Sequence, residues 1–290
     1  MKIAIVTDSN SGITIEEANK LGITIIPMPF LINEEEYFEE LTLSQDQFYE
    51  KLLSGADVST SQPSIYSVAD VWEDLLKTHD EVVHIPMSSS LSASYETAFG
   101  YAKQFEGKVH VVDNKRISVT LKQSVFDAIN MAKDGKTAAE IKTWLEETAL
   151  DSSIYIMVTT LKHLKKGGRI TPAAAALGTL LKIKPILQIQ GGKLDKFFQV
   201  ISYAQGKKKM IDQMIKDITI KYGHFLKDNK LKISVAYTYE KDKALTFRDE
   251  INKEFEKYGI QVEFVDPLSL SVACHIGEGA IAITCARYYK

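Results

Sequence analysis

The sequence predicts an α/β protein of two domains, an N-terminal domain with a parallel sheet and a C-terminal domain with a mixed sheet. In the first half of the chain, short apolar runs alternate with amphipathic segments, which is expected when helices connect parallel strands. Beyond residue 153, strand candidates follow one another more closely, and Gly191-Gly192 between two of them is typical of a β-hairpin. We therefore place the domains at residues 1–153 and 154–290.

In the first domain, apolar runs predict the strands and capping residues predict where helices begin. Thr14, Ser44 and Thr137 each stand three residues before Glu or Gln, which is the spacing of a capping box. The predicted strands, in chain order, are Lys2–Val6, Gly22–Pro29, Val82–Pro86 and Lys108–Val112. The predicted helices follow Thr14 and Ser44, run from Ser64 through Leu76, from Tyr95 to Phe105 and from Val119 to Lys133, and follow Thr137.

The second domain is predicted from the same signals, with more strands and longer helices. A short polar segment, Asp151-Ser152-Ser153, separates it from the first domain. The predicted strands are Ile154–Thr159, Lys184–Gln190, Lys196–Ile201, Lys232–Tyr237, Gln261–Val265 and Ala280–Thr284, and the predicted helices are Lys207–Lys221 and Lys241–Tyr258. The basic segment Leu161–Ile170 lies between two of these elements, and its part Lys165–Arg169 is predicted to be a flexible turn.

Composition excludes several classes of function. The chain has 290 residues, a net charge of -3 and a quarter of its residues charged, which argues against a dedicated nucleic-acid or anionic-membrane surface. The two cysteines, Cys274 and Cys285, have no metal-ligand spacing, so we expect no metal and no cofactor. The start of the chain has too short an apolar run for a signal peptide, and Ala173–Leu181 is too short to span a bilayer. We expect a cytoplasmic protein with at most transient membrane contact.

A cluster of hydroxyl side chains at Ser88–Ser94 is the main candidate site. It lies between a predicted strand and a predicted helix, where hydroxyls and free backbone N–H groups suit an anion. In an open α/β sheet, ligands bind at the carboxyl ends of the strands. Ser92 could also be a nucleophile, but it is flanked by Leu91 and Ala93 rather than by the glycines of a nucleophile elbow.

Other polar clusters have both a structural and a functional interpretation. Asp8 fits an Asx-turn better than a phosphoryl-transfer nucleophile, because Asn10 stands where a second acid would be needed. The loop Thr60–Ser64 fits a capped helix entry. Lys165–Arg169 is either a solvated basic turn or a loop in which Arg169 binds phosphate or carboxylate. His275 is either structural or a ligand contact, and adjacent Cys274 and His275 would point apart on an extended strand.

Taken in order, these clusters resemble the DegV family of bacterial fatty-acid-binding proteins. The matching segments run from one end of the chain to the other: Val6-Thr7-Asp8-Ser9, Thr60-Ser61-Gln62-Pro63-Ser64, Ser88-Ser89-Ser90-Leu91-Ser92, Leu164-Lys165-Lys166-Gly167-Gly168-Arg169-Ile170 and His275-Ile276-Gly277-Glu278-Gly279-Ala280. The chain departs from the family pattern at Ala93-Ser94, Asp113-Asn114 and Glu278, and in residues 199–209, which lack an expected arginine.

The resemblance implies a DegV-like fold with a long-chain fatty acid bound between the two domains. It implies that Thr60 and Ser92 bind the carboxylate, and that Ser61, Gly167, Gly168, Arg169 and His275 lie near the head group. It also implies a carrier without catalytic residues, which presents the acid to a separate ATP-dependent fatty-acid kinase for phospholipid synthesis. The alternative is a serine hydrolase or acyltransferase that uses Ser92 and His275. We further hypothesise that Ala173–Leu181 and the face with Leu187 and Ile189 form walls of the acyl tunnel.

Overall fold

A computed structural model describes residues 2–177 and 183–290 as an α/β protein with three sheets. The strands are β1 Ile3–Asp8, β2 Thr24–Ile26, β3 Pro29–Ile32, β4 Glu35–Phe38, β5 Val58–Thr60, β6 Glu81–Ile85, β7 Val109–Val111, β8 Ser152–Met157, β9 Lys184–Ile189, β10 Asp195–Val200, β11 Leu231–Tyr237, β12 Val262–Pro267 and β13 Ile281–Arg287.

The helices connect and cover these strands. They are α1 Ile15–Leu21, α2 Gln45–Leu53, α3 Ile65–Leu76, α4 Ser94–Ala102, α5 Val119–Lys133, α6 Ala138–Glu147, α7 Lys162–Gly167, α8 Pro172–Ala175, α9 Tyr203–Lys216, α10 Gly223–Lys227, α11 Lys241–Phe255 and α12 Leu270–Ile276. Short 3-10 helices occur at Ser9–Ser11, Lys103–Phe105 and Glu256–Tyr258, and a π-helical turn at Asp217–Lys221 continues α9. None of the described helices is long and apolar enough to cross a bilayer.

The N-terminal sheet is parallel, as predicted. Its order is β2-β1-β6-β7, and every neighbouring pair is parallel. The predicted strand Gly22–Pro29 is shorter in the structure, because β2 ends at Ile26 and a separate strand, β3, begins at Pro29. The capping boxes at Ser44 and Thr137 are present with both reciprocal hydrogen bonds. Ser64 is the N-cap residue of α3, as predicted, but its side chain makes no capping hydrogen bond.

The C-terminal sheet has six strands and is mixed, which confirms the predicted fold class. Its order is β10-β9-β8-β13-β11-β12, with β11 and β12 parallel and the other pairs antiparallel. β9 and β10 form the hairpin around Gly191-Gly192. The described residues 173–177 include the end of α8, while residues 178–181 of the hypothesised tunnel wall lie outside the described residues.

The two large sheets are joined by one continuous core. α5 lies between them and is buried along nearly its whole length, from Val119 to Met131. The largest hydrophobic cluster includes Ile5 and Val83 of the parallel sheet as well as Ile156 and Ala282 of the mixed sheet. A shared core of this kind keeps the loops of one half in a fixed position relative to the helices of the other.

The third sheet is antiparallel, has the order β4-β3-β5, and was not predicted. Its strands are only three or four residues long, too short to show a clear alternation. Phe30 of β3 and Phe48 of the neighbouring α2 pack in one cluster with Leu270 and Cys274 of α12. The layer therefore connects the end of β5, at Thr60, directly to a helix of the C-terminal half.

Two segments that the sequence suggested as irregular or extended are helical. The basic segment predicted as a turn contains α7, which ends at Gly167 and is capped by Gly168 in the left-handed conformation, at φ 67°. The argument that Cys274 and His275 point to opposite faces of a strand is wrong, because both lie on α12. On a helix, His275 shares its face with Ser271, one turn earlier.

Candidate functional site

A well-formed cavity lies where the carboxyl ends of the parallel strands face α7 and α12. Its volume is about 400 Å3. Most of its lining is apolar, and the polar groups are concentrated on loops after β1, β5 and β6 and on α12. The lining residues used below are Asn10, Thr60, Ser61, Gln62, Leu91, Ser92, Ala93, Ile117, Arg169, Leu194, Ser271, Val272, His275 and Ile276. A mostly apolar cleft with a few convergent polar groups is typical of a ligand site.

Thr60 and His275 meet in this cavity although 215 residues separate them in the chain. The Thr60 hydroxyl and His275 Nε2 lie 2.9 Å apart, at hydrogen-bond distance. Burial, followed by the charge of Arg169 and by His163, lowers the pKa of His275 to about 4. The imidazole is therefore neutral near pH 7, with one N–H donor and one acceptor nitrogen.

The position of His275 depends on Gly167 at the end of α7. A Cβ at residue 167 would lie 2.1 Å from His275 Nδ1, far inside van der Waals contact. The helix backbone can approach the ring this closely only because residue 167 has no side chain. Gly168 has a different role: it does not line the cavity, and its φ of +67° caps α7.

Ser92 lines the same cavity and is held by its neighbour Ser94. The Ser92 and Ser94 hydroxyls lie 2.8 Å apart, and the Ser94 backbone N–H donates to Ser92 Oγ at 3.2 Å. Within the described residues, no hydrogen bond joins Ser92 to His275, whose Nε2 is engaged with Thr60. The pairing that a Ser–His nucleophile requires is thus absent from this arrangement.

Arg169 lines the cavity, but its guanidinium is partly occupied. Its Nε donates to the Leu91 carbonyl at 3.2 Å, and its Nη1 donates to the Gly167 carbonyl. Two of its three guanidinium nitrogens therefore already donate to backbone carbonyls. Arg169 ties the end of α7 to the loop that carries Ser92, and brings a positive charge next to His275. Ser61 and Gln62 lie at the exposed edge of the cavity.

One wall of the site was missed by sequence reasoning. The Asn10 carboxamide oxygen accepts from Ser269 Oγ at 2.8 Å and from Ser271 Oγ at 2.6 Å, which joins the loop after β1 to α12. Asp8 accepts from the Asn10 backbone N–H at 2.9 Å, so the Asx-turn is present. A helical reading of residues 270–276 would have found this wall, because it places Ser271 and His275 on one face.

A second cavity of about 50 Å3 lies deeper in the molecule, and its surface is apolar although Ser118 and Thr284 contribute to its lining. Among the described residues, five line both cavities and separate them: Leu91, Ile117, Leu194, Val272 and Ile276. The inner end of the second cavity includes Ala236 and Ala282 of the mixed sheet. Of the hypothesised tunnel walls, Ile189 lines this cavity, whereas Leu187 is buried in the core without lining either one.

The chemistry of the site is that of a neutral hydrogen-bonding rim on an apolar interior. Among residues 2–177 and 183–290, no group of three or more His, Cys, Asp or Glu side chains could hold a metal ion. The rim offers the hydroxyls of Thr60, Ser61 and Ser92 and the neutral imidazole of His275. Such a rim can bind a carboxylate by hydrogen bonds while the interior takes an alkyl chain.

Comparison with known proteins places the chain in a family. A sequence model described as uncharacterised protein, DegV family, matches residues 2–287. A DegV domain-containing protein of Staphylococcus aureus is 28% identical over 288 residues, with 99% of each chain covered. One of Clostridium acetobutylicum is 30% identical over 292 residues, with 98% of this chain and 97% of the relative covered.

Two solved structures share the fold over the whole chain. A fatty-acid-binding DegV family protein of Thermus thermophilus has a TM-score of 0.85 at 27% identity, with 99% of this chain and 100% of that chain covered. The fatty-acid-binding protein DegV of Bacillus subtilis has a TM-score of 0.84 at 26% identity, with 99% of each chain covered. Similarity of fold and sequence therefore extends over both halves of the molecule.

Proposed function

This chain belongs to the DegV family, and on that premise we propose that it binds one long-chain fatty acid and presents the carboxylate to a separate kinase. The observation that supports the proposal most directly is the cavity of about 400 Å3 with hydroxyls at its rim. Behind it lies the second cavity, of about 50 Å3, which we call the apolar chamber. The two relatives of known structure described above are fatty-acid-binding proteins, which supports the same ligand class for this cavity.

The alkyl chain supplies the affinity in this proposal. Burying one CH2 group is worth about 0.8 kcal/mol, so a sixteen-carbon chain gains on the order of 10 kcal/mol before the costs of binding. The alkyl chain of the fatty acid passes between Leu91, Ile117 and Val272 and ends in the apolar chamber beside Ala282. Each of these side chains is apolar, so none loses a hydrogen bond when the ligand enters.

The head group is held by Thr60 and Ser92, each of which has a polar neighbour behind it. When His275 Nε2 donates to Thr60 Oγ1, the Thr60 hydroxyl is free to donate to the carboxylate. When the Ser94 hydroxyl donates to Ser92 Oγ, the Ser92 hydroxyl is likewise free. Two charge-assisted hydrogen bonds of this kind offset the cost of removing a carboxylate from water.

The same arrangement suits phosphorylation by a partner. The carboxylate is bound by neutral hydroxyls, so its oxygen is not held in a salt bridge that the kinase would have to break. Ser61, Gln62 and Ala93 are exposed at the edge of the cavity, where a second protein can approach. The positive charge of Arg169 lies beside His275 and stabilises the added phosphate charge. In this proposal, the protein itself has no catalytic turnover. Both proteins act in the cytoplasm, because the kinase uses ATP.

Mass spectrometry of solvent extracts from freshly purified protein tests the ligand. We expect one fatty acid per chain, with the carboxyl group unmodified. A protein that is empty after purification and also fails to bind added palmitate or oleate contradicts the proposal. A covalent acyl adduct on Ser92 would support the hydrolase alternative instead.

Variants of the rim test where the carboxylate binds. We expect Thr60→Ala and Ser92→Ala each to weaken palmitate binding by about tenfold, the loss of one hydrogen bond to a charged group. Ser90→Ala is the matched control, because its hydroxyl donates to the Gly191 carbonyl and does not line the cavity. Equal effects of all three substitutions would show that the carboxylate lies elsewhere.

Kinase coupling needs its own measurement. Acyl phosphate must form only when this protein, ATP, fatty acid and a fatty-acid kinase are all present. If acyl phosphate forms without this protein, the protein does not present the fatty acid to the kinase. That result would not contradict fatty-acid binding itself.

A further inference from the structure

A small cavity lies directly beneath the head-group site. It has a volume of about 10 Å3 and lies between the carboxyl ends of β1 and β6 and the first turns of α3 and α4. Met28 and Gln62 line both this cavity and the large one, so the two share a wall. A space of roughly this size holds one water molecule, provided that two to four polar groups surround it.

Three almost fully buried polar side chains line this cavity. They are Asp8, His84 and Ser94, which are 2%, 3% and 8% exposed. Within the described residues, His84 Nδ1 is buried and has no hydrogen-bond partner. Buried polar atoms nearly always have a partner in folded proteins, either protein or ordered water. The other polar lining side chains, Thr97 and Gln62, already bond to each other at 3.2 Å.

We propose that this cavity holds one ordered water molecule, which links Asp8, His84 and Ser94 and thereby keeps Ser92 a hydrogen-bond donor toward the ligand carboxylate. The proposal deepens the head-group site and rests on the proposed function for the identity of the ligand. It makes Asp8 and His84 positioning residues, since neither lines the large cavity.

The direction of the hydrogen bonds follows from which groups can donate. Asp8 accepts from the Met87 and Asn10 backbone N–H groups at 2.8 and 2.9 Å, and an ionised carboxylate can only accept. Burial lowers the pKa of His84 to about 3, so its imidazole is neutral and has one N–H donor. The water accepts from His84 and uses its two hydrogens on Asp8 and Ser94.

The water orients the hydroxyl that binds the ligand through Ser94 and Ser92. Ser94 Oγ accepts from the water, so its own hydrogen is directed to Ser92 Oγ, 2.8 Å away. Ser92 therefore receives a hydrogen bond and donates its own to the carboxylate. Without the water, the Ser92–Ser94 pair could reverse, and Ser92 would present lone pairs to an anion.

Binding to two ligands of equal chain length separates this role from general packing. Palmitate and hexadecanol differ only at the head group, and radiolabelled forms of both can be bound to delipidated full-length protein. We expect Ser94→Ala to weaken palmitate binding by about tenfold and to leave hexadecanol binding unchanged. In a Ser92→Ala background, Ser94→Ala should have no further effect on palmitate, because the two residues act through one bond. Ser90→Ala is the matched control.

A crystal structure of the lipid-bound protein at high resolution tests the water directly. One ordered water within hydrogen-bond distance of Asp8, His84 and Ser94 supports the proposal, and a dry cavity overturns it. Equal weakening of palmitate and hexadecanol by Ser94→Ala, or additive effects of Ser92→Ala and Ser94→Ala, would also overturn it. If the wild-type protein binds neither ligand, the proposed function fails, and the crystal structure still decides the water site.

Discussion

Replacing Gly167 with alanine is expected to weaken fatty-acid binding without weakening the fold. The added Cβ would lie 2.1 Å from His275 Nδ1, so the ring must move by about 1.3 Å to restore an ordinary contact of 3.4 Å. A movement of that size breaks the 2.9 Å hydrogen bond between His275 Nε2 and the Thr60 hydroxyl. Thr60 then loses the partner that directs its hydroxyl to the ligand.

The expected magnitude follows from the two hydrogen bonds affected. A neutral hydrogen bond contributes about 0.5–1.5 kcal/mol, and one to a charged group about 1.5–3 kcal/mol. Losing the first and impairing the second corresponds to roughly a 10- to 100-fold higher Kd for palmitate. Stability should change little, because alanine is favoured over glycine within a helix by about 0.5–1 kcal/mol and this offsets part of the repacking.

Gly168→Ala is the matched control one residue away. Its φ of +67° is unfavourable for alanine, but a Cβ there would meet nothing within 4 Å. We expect it to lower the free energy of unfolding by about 1–2 kcal/mol and to leave the Kd for palmitate unchanged. Urea unfolding and equilibrium palmitate binding, measured on both variants, give the comparison. Wild-type affinity in Gly167→Ala, or equally weakened binding in Gly168→Ala, would refute the reasoning.

Three further predictions concern the chamber, a buried acid and a buried cation. Ala282→Leu should fill the apolar chamber and shift the binding preference from stearate to the shorter laurate. If the Kd values for fatty acids of different chain length stay unchanged, the chamber is not the end of the acyl site. Burial raises the pKa of Glu39 to about 7 from its ordinary 4.5, so the folded state binds the proton more tightly than the unfolded state. Relative to Glu39→Gln, the wild type should therefore lose about 3 kcal/mol of unfolding free energy as the pH rises from about 4.5 to 7. Parallel pH profiles of the two proteins would contradict this. Arg116 is 1% exposed and donates to the Thr148 carbonyl at 2.8 Å and to Ser124 Oγ at 3.1 Å. Arg116→Ala should therefore lower the free energy of unfolding, measured by denaturant unfolding, by about 3 kcal/mol or more. A loss below about 1 kcal/mol would show that these hydrogen bonds contribute little.

Local signals explain the parts of the fold that the sequence predicted well. The helix Val119–Lys133 has the predicted bounds, and Ser44 and Thr137 form capping boxes, because capping and periodicity act over a few residues. The separation into a parallel and a mixed sheet follows from the change in element order near residue 153. Helix α12 was missed because seven residues rich in small side chains, ending before Gly277, gave too short a pattern.

The candidate site was predictable only as a set of separate clusters. The sequence by itself determined which residue types are available: hydroxyls after strands, a glycine pair after a basic segment, and a histidine before glycines. Tertiary structure decided that Thr60 bonds His275, that Ser92 bonds Ser94, and that Arg169 donates to backbone carbonyls. Thr60 and His275 are brought together by the third sheet packing on α12, a long-range contact that no local pattern encodes. Local propensity can place a side chain on an element, but only the packing of distant elements decides which side chains meet.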